Sequence, residues 1–114
     1  MSWQLIALPG AIALVLASAA PSALAEDTAP AMPEGEVLFV EKCGLCHLAG
    51  GFGTRVLSRR VPAGQALLQD RLALPAAYTS TVVRRGIGSM PQIREAELSD
   101  TQLATIARYL ETGE

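Results

Sequence analysis

The pentad Cys43-Gly44-Leu45-Cys46-His47 constrains this chain more than any other feature, because a C-x-x-C-H run is typical of covalent c-type haem attachment. Two cysteines three positions apart on a helix lie on one face, so two thioether bonds can hold one porphyrin. The histidine that follows can supply a neutral imidazole as an iron ligand. His47 is the sole histidine of the sequence, so no other imidazole competes for that position.

Three other uses of the pentad are open. A thioredoxin-like dithiol needs a βαβ context, and no strand-like run flanks Cys43 and Cys46. A structural zinc site needs four ligands, and two cysteines with one histidine leave it one short. A Cys43–Cys46 disulfide would suit an exported protein but leaves His47 without a function. We therefore expect one covalently attached haem c.

The second iron ligand is expected from among three methionines. Met1 lies in a leader and Met32 in a proline-rich lead-in, whereas Met90 stands in a glycine-rich loop before a proline. Met90 could fill a gap in the core, but its setting favours ligation of the iron opposite His47. A thioether there raises the reduction potential and blocks the open position that a haem enzyme or gas sensor needs. We therefore expect an electron carrier without catalytic residues.

The N-terminal segment indicates export. Residues 1–25 carry no charged side chain and end in Ala23-Leu24-Ala25, which predicts a signal peptide cleaved after Ala25 and a periplasmic protein. An uncleaved membrane anchor is the alternative, since the apolar stretch is almost long enough to span a bilayer. Residues 26–33 are predicted to form a flexible lead-in, and residues 34–114 the folded domain.

Composition bounds the domain and its partners. The folded part is too short for two cores, and two cysteines exclude a disulfide-rich scaffold. A net charge of −2 excludes a global basic field for nucleic acid, but charge is segregated: residues 26–42 sum to −4, residues 43–90 to +5 and residues 91–114 to −3.

All the positive charges of residues 43–90 are arginines, and two of these arginines are candidates for binding the haem. Because a buried carboxylate favours a guanidinium, Arg71 and Arg84 are the candidate partners of the haem propionates. The remaining arginines, Arg55, Arg59, Arg60 and Arg85, form either a basic face for an acidic partner or an ordinary solvated surface.

The expected fold is all-α, with three main helices and loops wrapped around one haem. The first helix is predicted over residues 34–46, the second from Pro75 to a stop at Gly86, and the last from a Ser99 capping box to Gly113. Residues 48–62 are predicted to begin with a glycine-rich turn, and residues 64–72 to form one short extra helix.

Gly35 in the first helix has two interpretations. A glycine there lowers helix propensity unless another element approaches closely, and Tyr109 or Leu110 of the last helix would be that element. Alternatively, Gly35 merely lies in a frayed first turn.

With these elements placed, residues 34–112 resemble class I c-type cytochromes. More narrowly, the chain is similar to the small cytochrome subunit of p-cresol methylhydroxylase and related flavoprotein dehydrogenases. The matching stretches are residues 35–47 (GEVLFVEKCGLCH), residues 74–78 (LPAAY) and residues 83–91 (VRRGIGSMP). The resemblance implies a helical domain that wraps the haem and passes single electrons through one exposed haem edge.

The resemblance also implies residue roles and partners. Cys43 and Cys46 would form the thioether links, His47 and Met90 would be the axial ligands, and Tyr78 would lie beside the haem pocket. A flavoprotein or quinoprotein dehydrogenase would donate electrons, and a second protein would accept them. A haem sensor or enzyme with an exchangeable sixth ligand, a free periplasmic shuttle to a terminal oxidase, and a non-haem dithiol module are the alternatives.

The chain departs from this class at two places. Thr54 stands where a proline usually follows the glycine-rich turn, and its carbonyl is expected to accept the hydrogen bond from the His47 ring. The arginine-rich segment 55–68 is longer than its counterpart in the flavoprotein subunits. It would remodel the partner surface if it lies near the haem edge.

Overall fold

The computed structural model describes residues 31–72 and 74–114. The described residues form four α-helices, a short 3₁₀ turn and no strand: α1 (Glu34–His47), α2 (Phe52–Leu57), the turn Leu68–Asp70, α3 (Ala76–Arg85) and α4 (Asp100–Thr112). The all-α prediction is confirmed. The signal peptide predicted over residues 1–25 lies outside the described residues, as does most of the lead-in. Among the described helices, none is long and apolar enough to cross a membrane.

Local chemistry sets the ends of the long helices. The Ser99 hydroxyl accepts from the Gln102 N–H (3.2 Å), and the Gln102 side chain accepts from the Ser99 N–H (3.1 Å), which confirms the predicted capping box of α4. Gly113 ends that helix at a φ of +81°, and Gly86 ends α3 at a φ of +71°.

The segment between α1 and α3 differs from its prediction. Residues 52–57 form α2, whereas the sequence indicated only a glycine-rich turn without a clean period. Six residues are too few for an apolar period to show in the sequence. The extra helix predicted over residues 64–72 is wrong, since only the turn Leu68–Asp70 forms there.

Helices α1 and α4 cross closely at Gly35. A β-carbon at Gly35 would lie 2.9 Å from the Thr105 carbonyl oxygen and still closer to the β-carbon of Tyr109. Gly35 is buried, so the close-approach interpretation is confirmed. One turn further along α1, the Phe39 ring lies 6.1 Å from the Tyr109 ring.

The buried core extends from this crossing towards α3. Its apolar side chains come from all three long helices and the two segments beside them: Phe39, Leu74, Val83, Leu98, Leu103, Ile106 and Leu110. Met90 and Cys43 are partly buried and pack against this cluster. The core therefore reaches the two regions that the sequence marks for haem binding.

Candidate cofactor site

A cleft of about 290 Å³ opens between the four helices and the loop that carries Met90. Every residue of the buried core cluster also lines this cleft, together with apolar side chains of α2 and α3. A space walled mainly by aliphatic side chains suits a large apolar ligand with few polar groups. This shape and chemistry suit a porphyrin.

The end of α1 places the pentad at the cleft. Cys43 is half-buried, Cys46 is exposed, and both thiols are free and line the cleft. Burial, and to a lesser extent the neighbouring Cys46, raise the pKa of the Cys43 thiol to about 11. Both cysteines therefore face the same space, as their helical spacing predicts.

The imidazole of His47 also lines the cleft. Burial lowers the pKa of His47, and the positive charge of Arg71 acts in the same direction. The ring is therefore neutral at neutral pH, which is the form that binds iron. Gly53 lies against the ring, because a β-carbon there would be 3.0 Å from Cε1 and 3.3 Å from Nδ1.

The prediction for the Thr54 carbonyl is wrong. That carbonyl accepts from the Ser58 N–H (2.9 Å), and the buried His47 Nδ1 has no hydrogen-bond partner in the structure. The Thr54 hydroxyl instead donates to the Leu48 carbonyl (2.9 Å). Thr54 thus fixes the turn behind the pentad through its side chain.

Met90 reaches the cleft from a tight loop at the end of α3. Ile87 and Met90 exchange two backbone hydrogen bonds of 3.1 and 2.9 Å. The Met90 carbonyl passes so close to Gly86 that a β-carbon there would lie 2.8 Å away. Met90 is partly buried and lines the same cleft as His47. The structure thus brings both predicted iron ligands to one space.

Arg71 and Tyr78 line the cleft, as the sequence predicts. Arg71 Nε donates to the Gln65 carbonyl (2.9 Å), while its Nη2 atom is buried without a partner. A buried guanidinium nitrogen without a partner is costly, so an anion is expected beside it. Tyr78 remains 51% exposed at the rim.

The prediction that Arg84 holds a propionate is wrong. Its guanidinium donates to the carbonyls of Ile93 and Leu98, both at 2.9 Å, and pairs with Asp100 at 2.6 Å. Arg84 is not among the residues that line the cleft. It instead holds the segment between α3 and α4 in place.

Two further lining residues escaped the sequence analysis. Thr79 is buried in the wall formed by α3, one turn before Val83, and only that helical spacing could have indicated it. Arg60 follows α2 and reaches the Met90 loop, where its Nη1 would lie 3.7 Å from a β-carbon at Gly88. Nothing in the sequence distinguishes Arg60 from the neighbouring arginines.

The residues present fit haem c. The described residues hold three buried side-chain polar atoms without a partner, namely His47 Nδ1, Arg71 Nη2 and Thr79 Oγ1, and all three residues line the cleft. Two thiols match the two thioether links, an imidazole and a thioether match the iron, and a guanidinium matches a carboxylate. Haem attachment, iron ligation and carboxylate binding, the chemistry that the geometry suggests, need no catalytic group beyond this set.

The model of one protein family, described as cytochrome c oxidase, cbb3-type, subunit III, matches residues 30–110. The chain belongs to this family. No curated protein and no solved structure matches it significantly.

Membership of the cbb3-type subunit III family confirms the class I c-type cytochrome assignment and gives no support for the narrower resemblance to p-cresol methylhydroxylase. This cytochrome c domain is a haem-based electron-transfer domain, and its cofactor is haem c.

Proposed function

We propose that this chain is an exported carrier with one haem that accepts one electron at a time from a dehydrogenase and passes it to a second protein. One observation carries this proposal: Cys43, Cys46, His47 and Met90 all line a single apolar cleft. When bound, haem c supplies an iron that changes between the ferric and ferrous states.

Each of these side chains has a separate task. Cys43 and Cys46 would fix the porphyrin covalently to the end of α1. His47 would offer a neutral imidazole, and Met90 a thioether that favours the ferrous state. The aliphatic walls would limit the access of water, which also raises the potential. Two protein ligands would leave no coordination position for a substrate, so electron transfer is favoured over catalysis or gas sensing.

The partner surface is proposed to be the basic side of the cleft mouth. Arg55, Arg59, Arg60 and Arg85 are exposed, and none of them forms an ion pair within the described part of the chain. Phe52 and Ile87 add half-exposed apolar surface at the same mouth. Arg60 lines the cleft, and each of the other three lies within two residues of one that does. Exposed positive charge beside an apolar opening favours a partner with an acidic docking face.

The donor is proposed to be a flavoprotein or quinoprotein dehydrogenase, and the compartment the periplasm. The charge-free leader that ends at Ala25 supports export. Covalent haem attachment supports the same compartment, since a C-x-x-C-H site is matured outside the cytoplasm.

The test of the carrier proposal is the absorption spectrum of the protein expressed with a haem-maturation system. We expect haem that resists extraction under denaturing conditions, together with the weak far-red band of a methionine–ferric iron bond. The variant Cys43→Ala/Cys46→Ala should lose the covalent link. Covalent haem without the far-red band would favour a sensor or enzyme, and a chain without haem would overturn the proposal.

The partner surface has its own test. Reduction by an acidic flavoprotein should slow as salt is added, because screening weakens the attraction between opposite charges. Arg60→Glu should slow it at low salt, whereas Arg108→Glu makes the same charge change outside the cleft lining and should slow it less. Equal effects of the two variants would show that only net charge matters.

A second candidate function is delivery of electrons to a terminal oxidase. The family description, which names an oxidase subunit, favours this candidate. It predicts that the reduced protein supports cyanide-sensitive oxygen consumption by bacterial membranes.

A further inference from the structure

The imidazole of His47 has an unusual environment for an iron ligand. Its Nδ1 atom is buried, and no residue within the described ranges forms a hydrogen bond with it. Because Nδ1 is enclosed by protein, Nε2 is the nitrogen left to bind iron in the proposed site, and the ring proton then stays on Nδ1. A metal-binding histidine usually donates that proton to a carboxylate, a carbonyl or water, which orients the ring and strengthens it as a ligand.

The turn that follows His47 uses its carbonyls for its own hydrogen bonds. Three of them accept from backbone N–H groups at 3.0, 3.0 and 2.9 Å, namely those of Leu48, Gly51 and Thr54. The Leu48 carbonyl also accepts from the Thr54 hydroxyl (2.9 Å). The turn is therefore closed by its own hydrogen bonds, and none of these carbonyls accepts from the imidazole.

The backbone of Gly53 lies against the ring instead. A β-carbon at Gly53 would lie 3.0 Å from Cε1 and 3.3 Å from Nδ1 of His47, and 3.0 Å from the Cys46 carbonyl oxygen. Gly53 belongs to the first turn of α2 and is not one of the glycines with a positive φ, so its backbone conformation does not require glycine. The close approach to the ring does require it.

This turn has little room to move away from the ring. A β-carbon at Gly51 would lie 3.0 Å from the Leu45 carbonyl oxygen and still closer to the Cys46 carbonyl. Gly51 and Gly53 thus both pack on the last residues of α1, on which His47 stands. The contact between Gly53 and the ring is therefore held by the backbone on both sides.

We propose that Gly53 is a positioning residue that orients the His47 ring by van der Waals contact, and that the Nδ1–H group of the ring has no acceptor. The inference rests on the proposed function, because it requires iron on Nε2. An imidazole whose N–H donates a hydrogen bond is the more basic ligand, which favours the ferric state. Without that bond, His47 favours the ferrous state, in the same direction as the Met90 thioether. The unpaired N–H therefore raises the reduction potential of this carrier.

The direct test is NMR of the isotope-labelled, reduced holoprotein, which is diamagnetic. A scalar coupling across a hydrogen bond would connect the His47 Nδ1 nitrogen to the carbon of the group that accepts from it. We expect an Nδ1–H proton that burial protects from exchange and that shows no such coupling. This measurement needs no variant, so it does not depend on whether a substituted chain folds. A coupling to any carbonyl or carboxylate carbon, or a proton that exchanges rapidly with water, would overturn the inference.

A variant tests the positioning role. Gly53→Ala adds the β-carbon that would meet Cε1 and Nδ1, so the ring should rotate. In the ferric holoprotein, the proton shifts of the haem methyl groups depend on the orientation of the axial imidazole, so we expect their pattern to change. Gly35→Ala is the matched control, because it adds a methyl group at a tight contact between α1 and α4, away from the ring, and should keep the wild-type pattern. A wild-type pattern in Gly53→Ala would overturn the positioning role.

The outcomes separate this inference from the proposed function. A holoprotein with covalent haem and the far-red band, but with a coupled Nδ1–H proton, would overturn the inference about His47 and Gly53 alone. A chain that binds no haem would overturn both.

Discussion

Tyr109 of α4 occupies the space that a side chain at Gly35 of α1 would need. The β-carbon and ring of Tyr109 and the Thr105 carbonyl oxygen all lie within contact distance of that position. The closest part of the crossing therefore depends on the absence of a side chain at position 35.

Gly35→Ala should lower the free energy of unfolding by about 2 kcal/mol, because the added methyl group forces the two helices apart. Helix propensity alone predicts the opposite sign, a gain of up to about 1 kcal/mol. Chemical denaturation of the holoprotein measures the difference. In Gly35→Ala/Tyr109→Gly the penalty should shrink, because glycine removes the β-carbon that lies closest to position 35. Full additivity of the two substitutions would show that Tyr109 is not the obstacle.

Met90→Ala should keep the haem attached, lower the reduction potential and allow imidazole or carbon monoxide to bind the iron. The reason is that the side chain would no longer supply a thioether that favours the ferrous state. Redox titration and ligand-binding spectra measure the change. Met32→Ala is the control, since that side chain is 54% exposed in the segment before α1. A Met90→Ala protein with the wild-type potential would rule out Met90 as a ligand.

Arg84→Gln should destabilise the fold by about 3 kcal/mol and leave the potential nearly unchanged. It removes charged donors from the carbonyls of Ile93 and Leu98, whereas the loss of its pair with the 77% exposed Asp100 matters little. Thermal unfolding and redox titration of the same sample separate the two effects.

Arg71→Gln should instead change the reduction potential clearly, because the Arg71 side chain lines the cleft and its buried Nη2 atom has no hydrogen-bond partner. Arg85→Gln, on the exposed end of α3, should leave the reduction potential unchanged and change the free energy of unfolding by no more than about 0.5 kcal/mol. If Arg71→Gln also leaves both properties unchanged, Arg71 does not contact the haem.

Removing the iron while keeping the porphyrin should make stability depend on pH. The folded chain lowers the pKa of His47 through burial and the charge of Arg71, whereas the unfolded chain has an ordinary value of about 6.5. Below that pH the unfolded state binds more protons, so stability falls as the pH decreases, by at most about 1.4 kcal/mol per unit. Melting curves of the demetallated protein between pH 5 and 7 test this. A flat dependence would contradict the burial of the ring.

The features that were predicted correctly are those with a local cause. The Ser99 capping box, the stops at Gly86 and Gly113, and the convergence of the pentad with Met90 depend on a few adjacent residues or on fixed ligand chemistry. The reason for a glycine at position 35 depends on which residues pack against it. The sequence therefore leaves two interpretations open, and the packing of α4 against α1 decides between them.

The features that were missed depend on distant parts of the chain. Arg84 and Arg71 look alike in the sequence, yet only Arg84 lies within reach of two carbonyls that become available when the segment after Met90 folds back. Helix α2 is too short to show a period, and the packing of Gly53 on His47 shows only in three dimensions. The hydroxyl of Thr79 is ordinary until the cleft wall is known.

The same side chains make up the core of this domain and the walls of its cleft. Without its ligand, the cleft of about 290 Å³ leaves the apolar side chains of this core open to water, so the domain loses much of the burial that would stabilise it. The chain without haem is therefore expected to be incompletely folded, as a polypeptide must be to pass through a secretion channel. Covalent attachment of haem would then make folding effectively irreversible, so that the domain becomes rigid only after it has reached its compartment.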